Sequence, residues 1–350
     1  MRRTSNCSFS PSPNKSVRNL FRTATTIPEL LVVIGVVTIL MSLIGPAVQR
    51  TRERARAISC RNNLHQLTLA AYEHESTHGA FPYTSTRWID AGPPRKDYHS
   101  RAPHRELMAF LDGTIARKLD PDDVSDPGWT PRPPALVSAD SRELQSIHVP
   151  IFACPSDHVP AGATSYRANL GSSVQVLSVL LNSETPKPHG AFENGRRVGT
   201  SEFRDGLSNT AMFGERVIGD FNSSRYEPFR DVFALDRDVP NTSEMARLCR
   251  DVAVPSPRSE YSFAGGTWQL GGWLNTWYSH VLTPNSTVPD CGEGACCVDG
   301  GRVVIALRSL HDGGTHVAMS DGTVRFVATS IDRTIWLAIG TRDSGEPGTE

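Results

Sequence analysis

At 350 residues, with 38% apolar and 21% charged residues, the chain is long enough for one large globular domain or two smaller ones. A formal net charge of -1 excludes nucleic-acid binding carried by bulk electrostatics. The charge is unevenly spread: Arg2, Arg3, Lys15, Arg18 and Arg22 precede Glu29 with no acid among them, the pattern of a basic leader before an exported or membrane-inserted segment.

The first predicted element is apolar. "LLVVIGVVTILMSLIG", Leu30 to Gly45, carries no charge. With Ile27, Pro46, Ala47 and Val48 it approaches the ~20 residues a helix needs to cross ~30 Å of hydrocarbon. A cleaved secretory signal would be shorter and followed by a small-x-small site, which "GPAVQRTRER" does not offer. A plain anchor fits the length and leaves Glu29 unexplained, since an acid costs ~2.5–3.5 kcal/mol at a bilayer centre and is still unfavourable near the end without a partner. Arg50, Arg52, Arg54, Arg56 and Arg61 after the span rival the leader's positive charge, so charge alone does not set the orientation.

Beyond it, "TRERARAISCRNNLHQLTLAAYEHESTHGAF" continues the helix, with an apolar stripe at Ile58, Leu64, Leu67 and Ala71 and a stop at Gly79 and Pro82. The expected helix runs from Glu29 to about His78, bent or loosened at Pro46. His65, His74 and His78 lie on or near it; the i, i+4 pair His74 and His78 has metal-ligand spacing, but solvated side chains are the preferred reading.

Residues 83–150 are rich in Pro, Arg and Asp and predict loops around a short helix near Arg105–Leu111. "VPIFACPSDHVP" predicts a strand ending in a turn, "TSYRANLGSS" another short strand, and Asp205–Asn209 a turn before an apolar run. Toward the C-terminus, Arg302–Arg308, Thr315–Ser320 and Thr323–Thr329 predict strands, the last two joined at Asp321-Gly322 in a two-residue type I′ hairpin. A short helix follows, with Asp332 at its start, Ile335, Trp336 and Ile339 on one face and Gly340 at its stop. The fold class is α+β: a long N-terminal helix, its apolar half transmembrane, packed on a mainly antiparallel β-sheet domain.

Seven cysteines are present. Cys7 lies in the leader; Cys60, Cys154, Cys249, Cys291, Cys296 and Cys297 form an even set and are disulfide candidates with open connectivity. Cys291, Cys296 and Cys297 cluster in "DCGEGACCVDG" without zinc-site spacing, so disulfides are preferred to a metal.

Two stretches carry a resemblance. "ELLVVIGVVTIL" after a basic leader is similar to the N-terminus of type IV prepilins and type II secretion pseudopilins. That resemblance implies a dedicated prepilin peptidase cutting between Ala24 and Thr25, with Glu29 fifth in the mature chain and Pro46 at mature position 22. It implies methylation of the new terminus, and assembly in which Glu29 pairs with an α-amino group, most simply on a neighbouring subunit. The site departs from the pattern at Ala24, Thr25 and Pro28.

"SCRNNLHQLTLAAYEHESTHGAFP", "FACPSD", "DGLSNTAMFGER", "SHVLTPNS" and "SLHDGGTHVAMSDGTVRFV" together resemble a planctomycete-type family of prepilin-like proteins. Its C-terminal domain of unknown function is marked by a His, nine residues and Asp-Gly, here His311 and Asp321-Gly322. The family-motif positions are Cys154, Asp205, Gly206, Ser208, Asn209, Thr210, Glu215, His311, Asp321 and Gly322. The implied organisation is a leader (1–24), a transmembrane assembly helix (25–48), its amphipathic continuation (49–82) and an exported globular domain (83–350).

Catalysis is not expected. His311, Asp312, His316 and Asp321 suggest a base with orienting acids or metal ligands. Asp312-Gly-Gly and Asp321-Gly are also turn formers, and an extended strand would hold His311 and Asp321 up to ~30 Å apart. Asp205 to Thr210 with Glu215 offers oxygen ligands suited to calcium, though a turn is the preferred reading and no cofactor is expected. Trp268, Trp273 and Trp277 suggest either core packing or a sugar-binding platform.

The expected function is therefore a structural pilin-like or pseudopilin subunit. It would sit in the cytoplasmic membrane with its N-terminus inside and its domain in the periplasm or at the cell surface. Its partners would be lipid, the prepilin peptidase, other pilin-like subunits and secretion or pilus machinery, not nucleic acid. A tethered polysaccharide- or protein-binding module that never polymerises is the alternative, and an anchored metal-dependent hydrolase the least favoured.

Overall fold

A computed structural model describes residues 26–90, 96–119, 125–126, 147–172, 189–222, 224–235, 242–251, 260–293 and 303–344. Ala24, Thr25, Cys7, Cys296 and Cys297 lie outside them. The chain divides into one unit ending at Thr51 and a second beginning at Arg52.

Helix α1 (Ile27–His78) supplies the described part of the first unit. Its large apolar side chains from Leu30 to Ile44 are all exposed, Leu31 at 64% and Leu43 at 68%. The hydroxyls of Thr38 and Ser42 donate back to the carbonyls of Gly35 and Ile39. These polar groups are thus satisfied inside the helix, which is long and apolar enough to cross a membrane. α1 runs as one element through Pro46, although proline lacks the N–H that would bond four residues back.

In the second unit α1 turns amphipathic. Cys60, Leu64, Leu67, Ala71 and His74 are buried at alternating spacings of four and three, one face of a helix. The expected stripe holds at Leu64, Leu67 and Ala71 and fails at Ile58, which is 60% exposed while Cys60 turns inward. His74 is buried rather than solvated. Its Nε2 lies 3.0 Å from Glu106 on α2 (Pro103–Leu111), and its ring stacks on His78. α3 (Gly113–Ala116) follows, capped by Asp112.

This face of α1 packs on a five-stranded sheet of β4 (Tyr166–Asn169), β5 (Ala211–Glu215), β8 (Trp277–Tyr278), β11 (Gly314–Met319) and β12 (Val324–Ala328), in the order β12-β11-β5-β4-β8. Asn63 bonds the Tyr166 hydroxyl, the Tyr72 hydroxyl donates to the Ser320 carbonyl, and His65 Nδ1 lies 2.9 Å from the Gly322 carbonyl. A second sheet is ordered β10-β9-β6-β7, from β10 (Val303–Val304), β9 (Asp290–Glu293), β6 (Val232–Leu235) and β7 (Glu260–Tyr261). It is backed by α4 (Thr242–Arg250). A third joins β1 (Ser85–Asp90), β2 (Lys96–Arg101) and β3 (Ser125–Asp126). Pairing is antiparallel except for β4 with β8 and β6 with β9. The class is α+β with mixed sheets.

Three local expectations differ. Pro150–Phe152 is a 3₁₀ turn, not a strand, because Pro150 has no ladder N–H to give. The β11–β12 hairpin closes with a three-residue loop: Gly322 donates to the Met319 carbonyl and alone takes positive φ (90°). That is a type I turn followed by a left-handed glycine, not a type I′ pair. The expected strand Arg302–Arg308 divides between sheets. Val303–Val304 pairs with β9, then Arg308 bridges to Arg216 beyond β5. The short helix α5 (Arg333–Ala338) forms as expected, capped by Asp332, with Trp336 buried.

Two disulfides brace the second unit, Cys60–Cys154 and Cys249–Cys291. Beside the second lies a buried ionic knot. Asp290 accepts from Arg216 and Arg308 at 2.9 Å each and from the Ala306 amide at 3.0 Å, with all three charged side chains at most 1% exposed. Burial pushes the Asp290 carboxyl up, and the flanking guanidiniums more than reverse this. Two guanidiniums around one carboxylate make the acid indispensable. Asp290→Ala is expected to cost about 3–5 kcal/mol in urea unfolding, because it strands buried charge. Arg247→Ala, which removes only exposed pairs, should leave the midpoint unchanged.

Candidate functional site

Glu53 and Cys60 are seven residues apart on α1, which places them on one face two turns apart. Cys60 is bonded to Cys154, just past the 3₁₀ turn. Glu215 closes β5, where its carboxylate is 2% exposed. His311 lies in the bend before β11, and His316 sits on β11 itself. These six residues meet at one point, buried except at Glu53, which is partly open to solvent.

Glu215 is the hub. It accepts from the His316 amide (3.0 Å), His316 Nδ1 (3.0 Å) and the Thr315 hydroxyl (3.3 Å), and its Oε1 lies 3.5 Å from His311 Nε2. His311 Nδ1 is 2.9 Å from Glu53 Oε1, which also accepts from the Ser156 hydroxyl at 2.8 Å. His311 Nε2 also stands 3.6 Å from Cys154 Sγ. The imidazole is therefore held between two carboxylates with one edge on the disulfide.

Burial pushes the Glu215 carboxyl up, and hydrogen bonds from His311 and His316 outweigh that and hold it down at about 2. Burial opposes the charge on His311 as well, but Glu215 and Glu53 raise its pKa above the usual imidazole value. Glu53, partly open to solvent, is held below the usual carboxylate range, its burial offset by Ser156, His311 and Arg56.

The expected site residues are distributed as follows. Cys154, Glu215 and His311 come together. Asp321 does not join them: it stands at the far end of β11 from His311, exposed, with its carboxylate accepting from the amide and hydroxyl of Thr323. Asp312 is exposed too. The acids that orient His311 are Glu53 and Glu215. Glu53 was legible only as the lone acid among the arginines of "RTRERARAISC", in phase with Cys60.

Asp205, Gly206, Ser208, Asn209 and Thr210 form the expected turn. Asn209 donates to the Asp205 carbonyl, Thr210 to Gly206 and Thr341, and the Asp205 carboxylate accepts from Ser344. Glu215 is committed to the histidines instead, so these oxygens do not gather around one calcium. The tryptophans offer no platform: Trp268, Trp273 and Trp277 are at most 1% exposed, and the indole N–H of Trp277 donates to Thr84. Glu29 is exposed and its carboxylate accepts from the Thr26 amide at 2.9 Å; Pro46 is exposed within α1.

Residues 49–334 match the family described as "Protein of unknown function (DUF1559)". The chain belongs to that family. No curated protein and no solved structure matches this DUF1559 protein. The matched region contains the entire carboxylate–histidine cluster and both disulfides, while Leu30–Gly45 precedes it.

In this DUF1559 chain the cluster's stabilising effect depends on pH. Glu215 contributes above its unfolded value of 4.5, and the contribution is lost as pH falls toward 2. His311 contributes fully below its unfolded value of 6.5, and that is lost as pH rises through its raised folded value. The penalty of His311→Gln should therefore be greatest between those limits, about 3 kcal/mol in urea unfolding of the full chain. It should shrink in alkaline buffer.

Proposed function

We propose that this protein is a membrane-inserted, pilin-like subunit that assembles through the first half of α1. The observation that carries the reading is the exposed apolar surface from Leu30 to Ile44, on a helix whose own hydroxyls are already satisfied. Such a surface needs lipid or other apolar helices to cover it.

Glu29 fits the same reading. Its carboxylate turns back toward the helix start, where it takes the Thr26 amide. The likeness to prepilins puts a peptidase cut between Ala24 and Thr25, and the new ammonium would then lie one residue before Thr26. In a lipid or filament core an acid needs a cation, and the terminus of a neighbouring subunit supplies one. Glu29 would thus set the register between helices, with the DUF1559 domain carried outside the cytoplasmic membrane as the face that meets partners. The reading includes a place in a pilus or a type II secretion pseudopilus, with the peptidase and other pilin-like subunits as partners, and a subunit without catalytic activity.

Trp268, Trp273 and Trp277, on which the polysaccharide alternative rested, are buried in the core rather than arrayed on the surface. Intact mass and N-terminal sequencing of the membrane form should give a chain beginning at Thr25; one beginning at Met1 counts against pilin-type processing. Glu29→Ala should insert normally yet lose incorporation into cross-linked filaments. Unchanged incorporation would remove this role for the acid.

A further inference from the structure

The hub of the domain holds one sulfur pair, one imidazole and one carboxylate in a space that fits a single ion. The donor atoms of Cys60, Cys154, Glu215 and His311 all lie within 4.8 Å of one another, and all four residues are buried. Bond lengths to zinc of about 2.0–2.3 Å place neighbouring ligands of a tetrahedron about 3.3–3.8 Å apart. Only the two sulfurs are much closer than that, because they are bonded to each other.

We propose that, when this disulfide is reduced, Cys60, Cys154, His311 and Glu215 form a closed four-ligand site for zinc. The bonded disulfide and the zinc site are alternative cross-links between α1 and the segment after Pro150–Phe152. Thiolate, imidazole and carboxylate donors in a small buried site suit zinc better than magnesium or calcium, which take mostly oxygen.

The surroundings are already those of a zinc ligand set. His311 Nδ1 faces Glu53 Oε1 at 2.9 Å, leaving Nε2 turned toward Cys154 Sγ and Glu215 Oε1 at 3.6 and 3.5 Å. A carboxylate behind a ligating histidine fixes its ring and tautomer in the same way in known zinc sites. Glu53 is itself fixed by Ser156, and Glu215 by His316 and Thr315. Among the described residues no other group of His, Cys, Asp and Glu gathers so closely.

The chemistry balances with a dithiol as reductant. The dithiol gives two electrons and two protons, becoming a disulfide, while the Cys60–Cys154 bond breaks to two thiols. Zinc then displaces both thiol protons and any proton on His311 Nε2, and Glu215 enters as its carboxylate. A small-molecule disulfide as oxidant reverses this: it takes two electrons from the two thiolates and two protons from solvent, becoming a dithiol, while the Cys60–Cys154 bond re-forms and the zinc ion leaves to solvent.

The test uses the full chain in detergent, with Cys7→Ser, Cys296→Ser and Cys297→Ser to silence the remaining thiols, reduced anaerobically by a dithiol. Zinc uptake is measured by elemental analysis, and cobalt(II) is used as a spectroscopic probe of thiolate ligation. The reduced background should take up about one ion per chain with sulfur-to-cobalt charge transfer, and the oxidised form should take up none. Adding Cys60→Ser and Cys154→Ser should abolish the signal, and adding Cys249→Ser and Cys291→Ser should preserve it. His311→Gln should weaken binding at least tenfold and alter the cobalt spectrum.

Glu53→Gln, a positioning change that keeps all four ligands, should weaken binding about 10–100-fold while preserving the spectrum. The proposal is overturned if the reduced background takes up no zinc. It is equally overturned if uptake survives loss of Cys60 and Cys154, or if His311→Gln leaves affinity and spectrum unchanged in chains shown to be folded by circular dichroism.

Discussion

A carboxylate almost out of reach of water, Glu215 at the end of β5, is the constraint around which the second unit is organised. An isolated charge at that depth is not tolerated, so its neighbours must be donors. β11 supplies three from two consecutive residues, the Thr315 hydroxyl and the amide and Nδ1 of His316, and the bend before it supplies His311. Because His311 is then shared with Glu53, a demand that begins in the central sheet ends on α1, at a residue 258 positions from His311 in sequence. Packing alone would let a helix slide across a sheet; a charge that must be met at one point does not.

The Asp290 knot repeats this logic at the seam between the sheets. Arg216 follows β5 directly, Arg308 leads toward the His311 bend, and Asp290 opens β9. The two ionic centres are therefore neighbours along the chain at two places, Glu215-Arg216 and Arg308 to His311. Whatever displaces one strand end disturbs both. Buried ion pairs contribute little net stability compared with an apolar substitute, but their loss is expensive, and this favours a single register. The Cys60–Cys154 and Cys249–Cys291 bridges add stabilisation of another kind, about 4–5 kcal/mol each in the chain-entropy account for loops of this length.

Local features were legible in the sequence where one residue's chemistry decides them. Gly79 ends α1, Asp332 caps α5, and the short strand expected in "TSYRANLGSS" forms as β4. The helix phase was legible at Leu64, Leu67 and Ala71 and missed only at Ile58, two positions before the inward Cys60. The site was only half legible. His311, Glu215 and Cys154 stood out, but the only acids weighed beside His311 were Asp312 and Asp321, with turn formation the preferred reading, whereas its partners come from α1 and β5. Those contacts depend on which strands pair, and hydrophobic periodicity is silent on pairing. It is equally silent on burial of Arg216, Arg308 and three tryptophans, which depends on which segments pack over them.

The Cys60–Cys154 bond closes a ring whose two ends are 94 residues apart. That ring contains the Pro- and Arg-rich stretch after residue 83, including both strands of the β1–β2 pair and the whole of α2. A protease acting anywhere inside it opens the ring without releasing a fragment. α1 stays covalently attached to the rest of the domain through sulfur, so a chain cut inside the ring would still travel at full mass until a reductant reached it.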